Sequence, residues 1–355
     1  MPPHRLWPAF IDRSEPDREA PFRLLAQRGY SYRRIDPYGR PWNPFANAHS
    51  VLCAIDPLRA LRVLLLHRHA DVVLCHYESA ALLILLWRRL FRFSGKVVVY
   101  DLGLVDGWRL RALIQRLVLK RADLLLPLES NQMSDLLAMG ARPHTLFPVR
   151  DSTSTDFYPD TDDQPDGYIL AVGDDLSRDY PTLLHAISGL ACQVVIRSSK
   201  LGRSSKLGED RAAFPNVTVV ADRLRSVDYQ KLVAGAVLVV LPLHPSMHPG
   251  GITALLEAMS SGKAVIVSDS PGLADHIEDG RNCRVVPPGD PAVLRHAIEA
   301  LLADKPERTR LGAGARRFVV EHCSAEADAA RFAAALGQLL GPEPALDGEG
   351  VQAGG

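Results

Sequence analysis

Cysteine, unbroken apolar stretches and net charge are all in short supply in this chain. Five cysteines (Cys53, Cys75, Cys192, Cys283 and Cys323) stand among 355 residues, and no two form a C-x-x-C pair. That odd, scattered set excludes a disulfide framework and fits buried free thiols in a reducing compartment. The longest strongly apolar stretch, 80–87, has eight residues, against the ~20 that a membrane-spanning helix needs. Residues 1–7 show no charged segment leading into an apolar one, so no secretory signal is expected. The 12 histidines form no metal-ligating constellation, and no Ser-His-Asp or Cys-His spacing stands out. The expectation is a cytoplasmic protein, soluble or at most peripheral on the cytoplasmic membrane face, with no metal and no cofactor.

Net charge is missing only in the sum. The chain balances 41 Lys+Arg against 41 Asp+Glu. Residues 1–150 carry 22 basic and 13 acidic side chains, hence +9, whereas residues 151–355 carry 19 and 28, hence −9. Such asymmetry signals surface function, or two ordinary domains whose charges happen to differ. The basic excess concentrates in 88–121, where Arg88, Arg89, Arg92, Lys96, Arg109, Arg111, Arg116, Lys120 and Arg121 face only Asp101 and Asp106. Basic residues beside Leu85, Leu86, Trp87, Leu90 and Phe91 suit an anionic membrane face. The competing reading is a solvated basic face. No nucleic-acid-binding motif accompanies the charge, so nucleic acid is not expected.

What the chain does have is an α/β rhythm in an ordinary globular composition, 47% hydrophobic and 23% charged. At ~150 residues per domain, two domains are the default. Short apolar strands at 72–75, 96–100, 123–127 and 145–149 alternate with helical patterns at 79–92, 110–120 and 130–139. Residues 151–166 interrupt this with six Asp, two Pro and no basic residue, the composition of a linker. The alternation resumes with strands at 168–172, 193–196, 217–220, 237–241, 264–268 and 284–287 and helices between and after them. Buried strands alternating with helices indicate βαβ units and parallel sheets covered on both faces. The expected division is an N-terminal domain over 1–150, a linker over 151–166 and a C-terminal domain over 167–325. A helix over 326–340 would pack back on the first domain, and 341–355 would be a disordered tail.

The most informative segment is 241–291, LPLHPSMHPGGITALLEAMSSGKAVIVSDSPGLADHIEDGRNCRVVPPGDP. Gly250 and Gly251 stand just before a helix opened by Thr253. Glycines there leave backbone N–H groups approachable, and the helix N-terminus adds about half a positive charge. Together they suit an anion, phosphate above all. Glu257, one turn into the helix, suits sugar hydroxyls. The plain alternative is a tight turn with a solvent-facing Glu.

This segment resembles the donor-binding half of retaining glycosyltransferases of the GT-B fold, in the glycosyltransferase family 4 or glycogen-synthase-like group. The likeness rests on G-I-T-A-L-L-E-A-M-S-S-G-K-A-V-I-V-S and D-G-R-N-C-R-V-V-P-P-G-D-P, about fifty residues in all. It implies two Rossmann-like parallel-sheet domains facing each other across a cleft. It also implies metal-independent, retaining transfer from a UDP- or GDP-sugar to a hydroxyl acceptor, such as a glycan, a lipid-linked sugar or a small metabolite. Glu257 would bind ribose. Gly250, Gly251, Ile252 and Thr253 would meet the donor sugar and diphosphate.

Three departures stand out. The family's first Glu is Pro249 here, with His248 beside it as a candidate substitute. The Arg and Lys that usually hold the diphosphate after Gly173 are replaced by Asp174 and Asp179. Arg178 and Arg197 are then the nearest cations, and the basic run 198–206 could fold over the phosphates. In the first domain, His76 and Glu78 follow one strand and Asp101 follows another. Asp101 matches the family position close to the reacting sugar, although an Asp there equally suits a turn cap. The departures keep open a non-catalytic, nucleotide-sugar-binding accessory protein. A nucleotide-sugar epimerase is a further alternative.

Overall fold

The computed structural model describes residues 5–8, 20–33, 35, 55–100, 102, 109–161, 164, 167–174, 177–203, 214–222 and 224–341. The chain divides into two compact units, Met1–Val149 with Asp328–Gly355, and Arg150–Ala327. The tail 342–355 lies outside the described residues.

In the first unit, β1 (Arg5–Pro8), α1 (Ala20–Gln27) and β2 (Ser31–Tyr32) precede α2 (Pro57–Leu66) and β3 (Val72–His76). Then come α3 (Glu78–Trp87), β4 (Lys96–Tyr100), α4 (Arg109–Leu119), β5 (Leu124–Leu126) and α5 (Met133–Ala138). The strands form one parallel sheet in the order β2-β1-β3-β4-β5. Val73, Cys75, Val97, Val99 and Leu125 pack under α2 to α5. Val72, Leu74, Val98 and Leu124 face Phe22 and Leu25 of α1 and Phe332, Ala333 and Leu336 of the final helix, Ala325–Leu340. Burial on both faces is why these strands read as continuous apolar runs. Asp56 caps α2, accepting from the Arg59 N–H at 3.0 Å, with Pro57 in the first turn.

Two elements differ from the sequence reading. The helix expected over 79–92 stops at Trp87, because Arg92 turns the chain at φ 50° and Gly95 lies against the Ala70 carbonyl, where a Cβ would sit 2.3 Å away. Over 145–149 there is no strand, only the 3-10 turn Pro143–Thr145 and a single bridge from Leu146 to Leu125. Phe147 and Val149 donate to Leu125 O and Pro127 O, both at 2.9 Å, but Pro127, which has no N–H, cannot return a bond, and no ladder forms.

The second unit runs β6 (Tyr168–Val172), α6 (Tyr180–Ile187), β7 (Val194–Arg197), α7 (Ser199–Arg203) and β8 (Val217–Val220). It continues with α8 (Ser226–Ala234), β9 (Ala236–Leu241), α9 (Ile252–Ser260), β10 (Val265–Ser268) and β11 (Arg284–Val286). Helices α10 (Pro291–Ala303), α11 (Lys305–His322) and α12 (Ala325–Leu340) complete the chain. The sheet is parallel, ordered β11-β10-β9-β6-β7-β8. The winding reverses between β6 and β9. Ligands of such sheets bind outside the carboxyl ends of the strands at that point. Among the described residues, no helix is long and apolar enough to cross a membrane.

Candidate functional site

Two loops meet at the reversal point. One follows β6 and carries Gly173 to Asp179; the other follows β9 and leads into α9. Backbone bonds stitch them together: Asp179 N–H to Pro242 O at 2.9 Å, His244 N–H to Ser177 O at 2.8 Å, and a bridge between Arg178 and Leu243. Arg178 is therefore fixed where the two loops join. It is only 8% exposed. Its Nε donates to Val172 O at 2.6 Å and its Nη1 to Ser177 Oγ at 3.2 Å.

Two glycines make room for this side chain. A Cβ on Gly173 would lie 2.1 Å from Arg178 Nε, and one on Gly251 would lie 2.9 Å from Nη1. Both glycines have positive φ, 139° and 90°, which L side chains rarely adopt. Gly251 is the N-cap of α9, and no side chain caps that terminus. A guanidinium thus lies against the open, positive end of a nine-residue helix.

The loop commits some of its own donors. Gly250 N–H bonds to His248 O at 2.7 Å and Ile252 N–H to Pro249 O at 3.2 Å. Gly251 and Thr253 are then the backbone groups of this turn best placed for a ligand. The imidazole of His248 is exposed, while its carbonyl packs on the turn at Gly272. Gly272 N–H to Ser246 O at 2.7 Å pins the loop further.

Thr253 and Glu257 are four residues apart and share a helix face. Glu257 is 5% exposed. Tyr158 Oη donates to its Oε1 at 3.0 Å, and the Tyr229 hydroxyl also bonds to it. Burial first, then the nearby Glu257 charge, push the Tyr229 phenol well above its ordinary value. Both tyrosines escaped the sequence reading: Tyr158 sits in the segment read as linker, and no spacing ties either ring to Glu257. That segment is anchored, since Ser260 Oγ and Arg316 Nη1 both donate to Tyr158 O, at 2.8 and 2.7 Å.

The two acidic replacements have structural employment. Asp179 caps α6, accepting from Thr182 N–H at 3.1 Å and Thr182 Oγ1 at 2.6 Å. Asp174 caps α7 from a distance, accepting from Ser199 N–H at 2.5 Å and Ser198 Oγ at 3.1 Å, and pairs with Arg197 at 2.7 Å. Partial burial raises the Asp174 carboxyl, but the Ser199 N–H bond and the Arg197 charge outweigh it and hold the group below its ordinary value. Arg197 is therefore engaged by Asp174, and Arg178 is the cation seated at the helix terminus. The basic run 198–206 contains α7 over 199–203, and 204–206 lie outside the described residues.

In the first unit, His76 ends β3 and stacks on Tyr77 and Tyr100, with ring centroids at 4.1 and 5.5 Å. Tyr77 has φ 68°, a strained value for a bulky side chain. Glu78 is fully buried and accepts from Gln115 Nε2 at 3.0 Å, so it faces the α3–α4 contact. Asp101 lies outside the described residues.

Residues 169–304 match the family described as Glycosyl transferases group 1. Over 244 residues the chain is 27% identical to the MMP alpha-(1->4)-mannosyltransferase of Mycolicibacterium hassiacum, covering 65% of this chain. The chain spans 58% of the length of that relative. The fold is that of GT-B glycosyltransferases. HepE of Anabaena, solved with UDP, superposes with a TM-score of 0.70 at 13% identity, covering 94% of this chain and 99% of HepE. Sucrose-phosphate synthase of Thermosynechococcus elongatus gives 0.73 at 19% identity, covering 95% and 99%. The match to the glycosyl transferases group 1 family thus falls within the second unit.

Proposed function

We propose that the protein is a retaining hexosyltransferase that moves a sugar from a UDP- or GDP-linked donor to a hydroxyl acceptor. The observation that carries this reading is the seat of Arg178 between Gly173 and Gly251, at the uncapped N-terminus of α9. A diphosphate there would meet a charge-assisted donor and the free end of a helix dipole. Glu257, one turn of about 5.4 Å further along the helix, would take the ribose hydroxyls. They would share or displace the tyrosine bonds. The solved HepE complexes with UDP and with UDP-glucose are consistent with a nucleotide-sugar donor, and the mannosyltransferase relative with a hexosyl group.

In this reading the bond from the anomeric carbon to the diphosphate oxygen breaks as the acceptor oxygen attacks from the same face. The acceptor proton passes to the departing phosphate oxygen. Arg178 and the Gly251 and Thr253 N–H groups stabilise the charge that develops on the leaving group, the term that matters most for such chemistry. No metal is required in this scheme, and acceptor binding falls to the first unit. Asp174 and Asp179 motivated a non-catalytic reading, but their capping roles make them compatible with a working diphosphate site. A nucleotide-sugar epimerase has no observation in its favour.

The test is a thermal-shift screen of UDP- and GDP-sugars, followed by product analysis with the best binder. Sugar transfer, or hydrolysis of the donor with retained configuration, supports the proposal. Binding without turnover, over a range of acceptors, supports an accessory protein instead. An altered sugar still attached to nucleotide supports an epimerase.

A further inference from the structure

Helices α2, α3 and α4 lie side by side on one face of the first sheet, α2 packing on α3 and α3 on α4. Each ends in a short turn that leads into the start of the next strand, β3, β4 or β5. Their C-termini therefore share the edge where the strands begin, opposite the edge that carries His76 and Tyr100.

That edge is unusually apolar for a surface. Leu65 and Leu66 end α2 at 54% and 72% exposure, Leu86 stands at the end of α3 at 44%, and Leu90 lies in the turn that follows at 76%. Leu113, midway along α4 and away from that edge, is 55% exposed. Around them stand exposed Arg68, Arg89, Arg92, Lys96, Lys120 and Arg121. Among the described residues of these helices and turns, Asp71 is the one exposed acid. Arg88 is not counted, because it pairs with Asp123 at 2.9 Å. Cations at helix C-termini offset the macrodipole, which accounts for basic residues alone. It does not account for leucines left in water at the same helix ends.

We propose that this edge seats the protein peripherally on a bilayer rich in anionic phospholipid. The leucines enter the boundary between headgroups and acyl chains, and the arginines and lysines meet the lipid phosphates. Their long apolar stems cover the surface between the leucines. Charge selects this occupant over a second copy of the chain, whose matching edge would be equally basic and repelled. The proposal is independent of the donor site.

The experiment is co-sedimentation of the full chain with vesicles of phosphatidylcholine alone, or of phosphatidylcholine and phosphatidylglycerol in equal parts. Binding to the anionic vesicles alone is expected, and high salt should weaken it. The Arg89→Glu/Arg92→Glu variant should bind about tenfold or more weakly, and the Leu65→Ser/Leu66→Ser/Leu90→Ser variant should also lose binding. Both should melt like the parent chain, since every altered side chain is exposed. Arg225→Ala, on the second unit, should bind as the parent does. The proposal is overturned by absence of binding at low salt, by equal binding to both vesicles, or by both patch variants binding unchanged. Self-association that the leucine variant abolishes, without vesicle binding, would make the edge an interface between copies and overturn it too.

Discussion

Arg178 and Arg197 stand only nineteen positions apart in sequence, yet their surroundings assign them different work. Arg197 has a carboxylate partner 2.7 Å away and is part-exposed. Replacing it with Ala should cost no more than about 1 kcal/mol of stability, as for other partly exposed pairs. Arg178 uses its planar fork, with Nε on Val172 O and Nη1 facing Ser177 and Gly251. A lysine cannot reproduce that geometry, so Arg178→Lys should fail to rescue donor binding; measuring nucleotide affinity for both variants checks this. Tyr158→Phe removes one bond to Glu257. It should weaken nucleotide binding by about 1 kcal/mol, and Glu257→Ala by about 1–3 kcal/mol. Titration calorimetry reads both. The placement of Gly250 and Gly251 before a helix that carries Glu257 was legible because helix period and turn chemistry are local. The cap role of Asp179 was also legible in principle, since Pro181 and Thr182 follow it as in a helix start. The cap role of Asp174 was not, because its partners lie more than twenty residues away.

Elements carry their own tests. Gly251 begins α9 at φ 90° against Arg178. Gly251→Ala should cost roughly 1–2 kcal/mol through the left-handed backbone alone and should displace the guanidinium, so donor binding falls more than the melting temperature suggests. The junction of β7 and α7 is pH-sensitive through Asp174. Its carboxyl is held below the value of the unfolded chain. Its stabilising contribution is therefore complete above about pH 4 and fades as pH falls through the folded-state value. Asp174→Asn should be less stable than the parent at neutral pH, and the gap should close in acid. Urea midpoints at the two pH values read it. Most strands and helices of the second unit could be read from their buried runs. The short strands β1 and β2 could not. Four and two residues long, they are strands because a sheet edge pairs with them, not because of their own pattern.

For the whole molecule, two features govern stability and contact. The chain's last helix completes the first unit: Phe332 is buried against Phe22 and Tyr100, at ring-centroid distances of 5.9 and 5.3 Å. Phe332→Ala should destabilise that unit by about 3–5 kcal/mol, visible as an early phase in thermal unfolding. The neutral total charge divides into a basic first half and an acidic second half. Under the proposed function Arg178 is the cation that would meet a diphosphate in the acidic half, while the nearby aspartates are occupied as caps.

The central claim is that Arg178, not Arg197, holds the donor diphosphate. Titration calorimetry of the parent chain, Arg178→Ala and Arg197→Ala with UDP and GDP tests it directly. The account predicts saturable binding by the parent of at least one of these nucleotides, a loss of about 1.5–3 kcal/mol in Arg178→Ala, and near-parental affinity in Arg197→Ala. Unchanged affinity in Arg178→Ala, or no binding of either nucleotide by the parent chain, would contradict it.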